Sequence, residues 1–244
     1  MAIQQAAGQH SPRGAVSAPE VPPLENGDRL SRAEFERRYD AMPQLKKAEL
    51  IEGVVYVGSP VRYTQHGQPD FDMQGWLAAY PAATPGTGGA ANTAVRLDLD
   101  NEPQPDILLR LEHGGRSRVD ADGYVEGAPD LAIEIAASSA SYDLHDKLRA
   151  YRRNGIQEYI IWRVLDGELD WLALREGVYE RLEPDDAGIV RSQVFPGLWL
   201  AVPALLAGDL MTVLTTLQDG LRSPEHAAFA ERLRTTVQQR EAVD

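Results

Sequence analysis

Apolar and polar positions alternate between Thr93 and Leu99, with Val95, Leu97 and Leu99 on one side and Arg96 and Asp98 on the other. That period of two predicts a half-buried strand. The next strand is expected over 106–111, where Ile107, Leu108 and Leu109 follow the turn Asp100-Asn101-Glu102-Pro103. Leu131 to Ala137 is apolar at every position except Glu134, as expected of a central strand. Tyr159 to Leu165 and Leu169 to Leu174 flank Asp166-Gly167, a preferred hairpin dipeptide. Val178 to Leu182 adds a further strand, and 49–57 reads as a hairpin about Glu52-Gly53.

Helical spacing fills the intervals. Ser31 with Glu34 three residues on predicts a capping box opening a helix that Pro43 limits. Residues 67–80 carry Phe71, Trp76, Leu77 and Tyr80, with Pro81 as the expected stop. Residues 140–154 form a helix closed by Gly155 in the left-handed conformation. From Leu205 onward the pattern is helical, broken at Gly220 to Pro224. Residues 84–92 (TPGTGGAAN) read as a flexible loop and 112–128 as a polar, Gly-rich connection. The expected division is a disordered tail over 1–25, an α+β domain over 26–203 and a C-terminal helical extension over 204–244. In the domain a mixed β-sheet is flanked by helices and extended by an antiparallel hairpin.

Composition narrows the class. With 244 residues and 43% hydrophobic content, the chain can bury a full core. It has no cysteine, which excludes disulfides and thiolate chemistry and fits a reducing cytoplasm. No apolar run reaches the roughly 18 residues of a membrane span, and the first residues lack the apolar core of a secretory signal. The net charge of −13 argues against strong nonspecific DNA binding, although Arg149, Arg152 and Arg153 could form a local basic groove.

Candidate chemistry follows from the interrupted strand. Glu134 lies between Ala132 and Ala136, opposite the face carrying Leu131, Ile133, Ile135 and Ala137. Small neighbours leave room for a metal ion or a phosphate. A carboxylate inside a strand is costly unless paired, hydrogen-bonded or bound to a metal. Asp106 begins the 106–111 strand after Pro105, and if that strand neighbours 131–137 the two acids lie close. Hard oxygen ligands so placed suit Mg²⁺ or Mn²⁺. Lys147 borders the helix stripe Leu144, Leu148, Tyr151 and could reach the end of the sheet; the plainer reading is a surface ion pair with Asp143. Glu49 is an upstream acid with which Glu52 competes. Asp130 reads as a turn or strand cap, His66 as a capping or packed histidine, and Tyr151 and Tyr159 as core edges. Trp162, Trp171 and Trp199 fit hairpin packing. No P-loop, dinucleotide fingerprint, HExxH or Gly-x-Ser-x-Gly motif occurs.

The segments AELIEGVVY (48–56), His66 within QHG, QPDILL (104–109), GAPDLAIEIAASSASYDLHDKLRAY (127–151) and NGIQEYIIW (154–162) together resemble the Uma2 family, also called DUF820, of the PD-(D/E)XK nuclease superfamily. The resemblance runs in order through residues 30–200. It implies a restriction-endonuclease-like fold, a divalent metal and hydrolysis of DNA phosphodiester bonds, with Asp106 as the motif aspartate, Glu134 as the acid of the E-x-K element and both as metal ligands. It also implies a role for Glu49 and for a lysine displaced to the next helix, Lys147, because Ala136 stands where the superfamily pattern has lysine. A homodimer is expected by class. The alternative reading is a catalytically silent binding or regulatory module on the same fold.

Overall fold

Most of these segments fold as strands or helices because each can bury one face while its polar residues remain wet. The computed structural model describes residues 21–137 and 143–241, with side chains from 145 to 239 in the second stretch. The elements run α1 (Arg32–Asp40), β1 (Ala48–Ile51), β2 (Val54–Val57), a π-helical turn (Tyr63–Gly67), α2 (Gln68–Ala83), β3 (Thr87–Ala91), β4 (Val95–Arg96), β5 (Ile107–Leu111), β6 (Ser117–Val119), β7 (Val125–Gly127) and β8 (Leu131–Ala136). A second π-helical turn (Asp143–Lys147) then leads into α3 (Leu148–Asn154). There follow β9 (Glu158–Arg163), β10 (Glu168–Arg175), β11 (Val178–Arg181), β12 (Ile189–Arg191), β13 (Trp199–Ala201), α4 (Val202–Leu206), α5 (Leu210–Leu221) and α6 (Pro224–Glu241).

The main sheet has the order β11-β10-β9-β8-β5-β3. β8 and β9 are parallel, and the expected hairpin β9–β10 is antiparallel, with Leu169 opposite Trp162. β5 pairs antiparallel with β8, setting Ile107 opposite Ile133 and Leu108 opposite Ala132. One step further along that ladder places Asp106 opposite Glu134, on the same face. The sheet is thus α+β and mixed, flanked by helices on both faces, as the sequence predicts.

Both faces are buried. Leu131, Ile133 and Ile135 join Ile107, Leu109 and Trp171 beneath Trp76, Leu77 and Tyr80 of α2. Leu205, Val213, Leu217, Phe229 and Leu233 of the C-terminal helices belong to this same core. On the other face Ala132 and Ala136 pack with Tyr151, Tyr159 and Ile161. The space expected beside those alanines is therefore filled by the Tyr151 ring, which meets Tyr159 edge-on at 4.9 Å. Gly155 closes α3 at φ +79°, as expected. Trp162 and Trp171 are buried against the hairpin core.

Several local expectations yield to tertiary contacts. Residues 87–91, expected as part of a loop, form edge strand β3, with Gly88 opposite Arg110 and Gly89 opposite Leu109. Pairing satisfies the open edge of β5, which outweighs the low strand propensity of Gly-Gly. Pro81 does not stop α2, which continues to Ala83. Burial of Trp76 and Tyr80, whose ring N–H and O–H donate to Trp199 O (3.0 Å) and Pro196 O (2.8 Å), outweighs the one lost helix bond. The capping box at Ser31 is absent: Ser31 makes no side-chain cap, and Glu34 accepts from Arg37 and Arg38 instead. The 112–128 connection contains β6 and β7, which join β4 in a three-stranded sheet. The tail expected over 1–25 lies outside the described residues up to residue 20, while Leu24 is buried against Phe35, Ala48, Leu50 and Val55.

β1–β2 and α1 form a small lobe around that last cluster. Leu50 and Glu102 exchange backbone hydrogen bonds of 3.1 and 2.7 Å, which fixes the lobe to the segment leading into β5. Glu102 itself is buried, and its Oε2 has no hydrogen-bond partner. Burial, then a hydrogen bond with Glu36 and its charge, push the Glu102 carboxyl up to about 8. The folded chain therefore holds a proton that the unfolded chain releases at ordinary carboxylate pH. Stability is expected to fall as pH rises from about 4.5 to about 8 and to level off above that. Urea unfolding at several pH values, on wild type and Glu102→Gln, measures this: the variant loses that part of the slope, and identical slopes would refute the assignment.

Candidate functional site

Alternation along β1 puts Ala48 and Leu50 into the small lobe's core and turns Glu49 the other way. Alternation along β8 turns Glu134 away from Ile133 and Ile135. The helical turn after β8 brings Lys147 back over the sheet between these two acids. Its Nζ donates to Glu134 Oε1 at 2.8 Å and lies 2.9 Å from Glu49 Oε1. Lys147 is 2% exposed, so it is a buried bridge between two strands. Tyr151, one turn on, donates its O–H to the same Glu134 oxygen at 2.9 Å. Glu49 Oε1 also accepts the Gln104 N–H at 2.6 Å. Tyr56 of β2 donates to Asp146 at 3.1 Å, fixing the turn that carries Lys147.

Asp106 is buried next to this bridge. Its Oδ2 accepts the Ile135 N–H at 2.8 Å and its Oδ1 accepts from Lys47 Nζ at 3.0 Å. His66 reaches the same place from the turn before α2. Its Nδ1 bonds Ile135 O at 2.9 Å, which requires the proton on Nδ1, and its Nε2 lies 3.7 Å from Asp106 Oδ1. Burial acts to lower the Lys47 pKa, but the charges of Asp106, Glu49 and Glu134 outweigh it and the net shift is upward. Lys47 thus responds to all three acids, which form one electrostatic cluster.

Asp70, in the first turn of α2, belongs to the edge of that cluster. Its Oδ2 accepts from Gln74 at 2.9 Å, while its buried Oδ1 has no hydrogen-bond partner. Burial raises its pKa; the Gln74 hydrogen bond opposes that and the nearby charge of Asp106 adds to it.

Charge and donor chemistry decide whether these residues suit a divalent cation. Asp106, Glu134, Glu49 and Asp70 oppose Lys47 and Lys147, leaving an excess of two negative charges when all are ionised. Among the described residues no group of three or more His, Asp or Glu side chains is gathered to hold a metal ion. Mg²⁺ is commonly bound by only one or two carboxylates, with water and substrate phosphate completing the shell. The Asp106–Glu134 pair, the charge excess and the unpartnered Asp70 oxygen fit such an ion.

All four residues picked from the sequence, Glu49, Asp106, Glu134 and Lys147, meet here. The side chain of Asp143, the plainer partner for Lys147, lies outside the described residues. Glu52 faces away and pairs with Arg153 at 3.0 Å. Asp130 is a strand cap, accepting the Leu111 N–H at 2.7 Å. Of the three arginines expected to line a basic groove, Arg149 is paired with Asp146, and Arg153 with Glu52 and Asp98. Local pattern assigns no site role to Lys47, His66, Asp70 or Tyr151. Lys47 sits two positions before Glu49 and shares its face, a period-two signal. For His66, Asp70 and Tyr151 only the tertiary pairing shows what they touch.

The Uma2 family model, described as "Putative restriction endonuclease", matches residues 32–203. No curated protein matches the chain. A crystal structure titled as a "putative nuclease belonging to DUF820" from Anabaena variabilis is similar in fold at a TM-score of 0.50 and 14% identity, covering 74% of this chain and 97% of that one. Among the described residues no helix is long and apolar enough to cross a membrane.

Proposed function

The chain belongs to the Uma2 family, and from that premise we propose that it is an endonuclease hydrolysing DNA phosphodiester bonds with Mg²⁺ or Mn²⁺. The observation that carries the reading is the buried Lys147 bridge between Glu134 and Glu49, beside Asp106. A lysine supplied from the helix stands in for the one missing at Ala136. Its ammonium lies within 3 Å of a carboxylate oxygen of each acid and compensates their charge inside the fold.

Asp106 and Glu134 would hold the cation. When bound, it stabilises charge on a phosphoryl oxygen and favours a hydroxide nucleophile. The protein's own groups divide the remaining work. Lys147 and Tyr151 orient Glu134, and the Ile135 N–H orients Asp106. Lys47, whose side chain is 31% exposed, is placed to meet a phosphate oxygen as negative charge develops on it. His66, with its proton on Nδ1, offers Nε2 as a proton acceptor beside Asp106.

Ala136 and the net charge of −13 favour the second reading, a silent module. Calorimetric titration of Mn²⁺, with and without DNA, and plasmid cleavage separate the two. An active nuclease binds Mn²⁺ and cuts DNA, and both properties vanish in EDTA and in the Asp106→Ala/Glu134→Ala double variant. A wild type that neither binds the ion in the presence of DNA nor cuts is the silent module.

A further inference from the structure

The segment carrying His66 and Asp70 presents a second feature, on the side next to the one that meets Asp106. Gly67 N–H reaches Arg62 O five residues back at 3.1 Å, so the turn over 63–67 is wider than an α-turn. That turn rotates less per residue, and the α-helix that follows rotates more. Across the eight residues the two deviations offset each other, and Tyr63 and Phe71 return to one side, about 10–12 Å apart along the axis. His66 and Asp70, four apart, share the neighbouring side that faces Asp106. Tyr63 and Phe71 are each 72% exposed, and Val61 nearby is 65% exposed. Gly67 lies between the two rings, and a Cβ there would meet nothing closer than 3.9 Å. Arg62, beside Tyr63, is exposed as well.

Large exposed rings are costly in water, and here two stand together at the lip of the site. We propose that Tyr63 and Phe71 are a base-stacking platform and that the DNA acted on is single-stranded at the cut. This rests on the nuclease reading and names its substrate class. Charge favours the single strand over the duplex. A duplex carries one phosphate charge per about 1.7 Å of axis, a single strand one per about 3.4 Å. A chain of net charge −13 whose Arg149 and Arg153 are already paired meets less repulsion from the sparser polymer. Affinity then comes from stacking, which only unpaired bases offer on both faces. The separation of the rings matches about three nucleotides, enough to seat a base at each ring. One copy of the chain suffices for one strand.

The test is fluorescence anisotropy on the full chain with a labelled 15-nucleotide DNA, its duplex and the RNA of the same sequence, with Ca²⁺ in place of Mg²⁺. Wild type is expected to bind the single-stranded DNA at least about tenfold more tightly than the duplex. Tyr63→Ala and Phe71→Ala each weaken it by about 5- to 100-fold, the scale of one stacked base, and Tyr63→Phe does not. Equal or tighter duplex binding, an unchanged affinity in the double alanine variant, or tighter RNA binding overturns the proposal. So does a sedimentation result in which wild type is a dimer, the double variant a monomer and DNA affinity the same, since the rings then serve a second copy. A parallel cleavage assay separates the two claims. Ring-dependent binding without cleavage in Mg²⁺ or Mn²⁺ removes the nuclease reading and leaves the platform; cleavage indifferent to the rings does the reverse.

Discussion

Replacing Glu134 by Gln is expected to lower metal-dependent hydrolysis by about 10²–10³-fold or more, the scale of losing one preorganised charged group from an active site. The substitution keeps the shape of the side chain and leaves an oxygen to accept from Tyr151 and Lys147, now 2.9 and 2.8 Å from Glu134 Oε1. It removes one of the two carboxylates offered to the cation. Fold and chemistry are read separately: circular dichroism and the thermal midpoint report the first, the cleavage rate the second. A folded variant that cuts as fast as wild type would remove Glu134 from the reaction. Because Glu134 and Asp106 face each other across β5 and β8, Asp106→Asn should lose a similar factor, and the double variant little more, since both would serve the one proposed ion.

Lys147→Met carries the largest expected effect on stability. Methionine fills a similar volume but leaves Glu134 and Glu49 buried without their shared cation. Removing one partner of a buried pair typically costs about 3–5 kcal/mol, far above the gain from an exposed pair. Urea unfolding at pH 7 measures the loss. A variant as stable as wild type at pH 7 would mean that Lys147 contributes packing rather than charge. If Mn²⁺ raises the variant's stability more than the wild type's, the cation and the ammonium compensate the same charges.

Much of this site is visible in the local pattern. Alternation in LAIEIA places Glu134 opposite Ile133 and Ile135, and the structure keeps that division of faces. Lys147 is expected to border the helix stripe, and the structure sets it beside Tyr151 at Glu134, although the helix there begins as a wider π-helical turn. Lys47 was within reach of the same reasoning, since it shares a side with Glu49 across one residue. What local pattern could not give was depth. Nothing in the spacing of Lys147 distinguishes a surface ion pair from a lysine that is 2% exposed.

The sequence by itself determined the strands and hairpins that alternation and turn residues dictate: β5, β8, the β9–β10 pair about Asp166-Gly167, and the left-handed Gly155 that ends α3. These depend on interactions within a few residues, so they can be read locally. Tertiary structure alone decided that Thr87–Ala91 is an edge strand, that α2 passes through Pro81, and that Tyr151 occupies the space beside Ala132 and Ala136. It also decided that His66 and Lys47, 40 and 59 residues from Asp106, close on its carboxylate. The physical reason is the same in each case. Local propensities differ by about 1 kcal/mol or less, whereas completing a sheet edge, burying an aromatic ring or compensating a buried charge each offers more, and those gains exist only once distant segments are brought together.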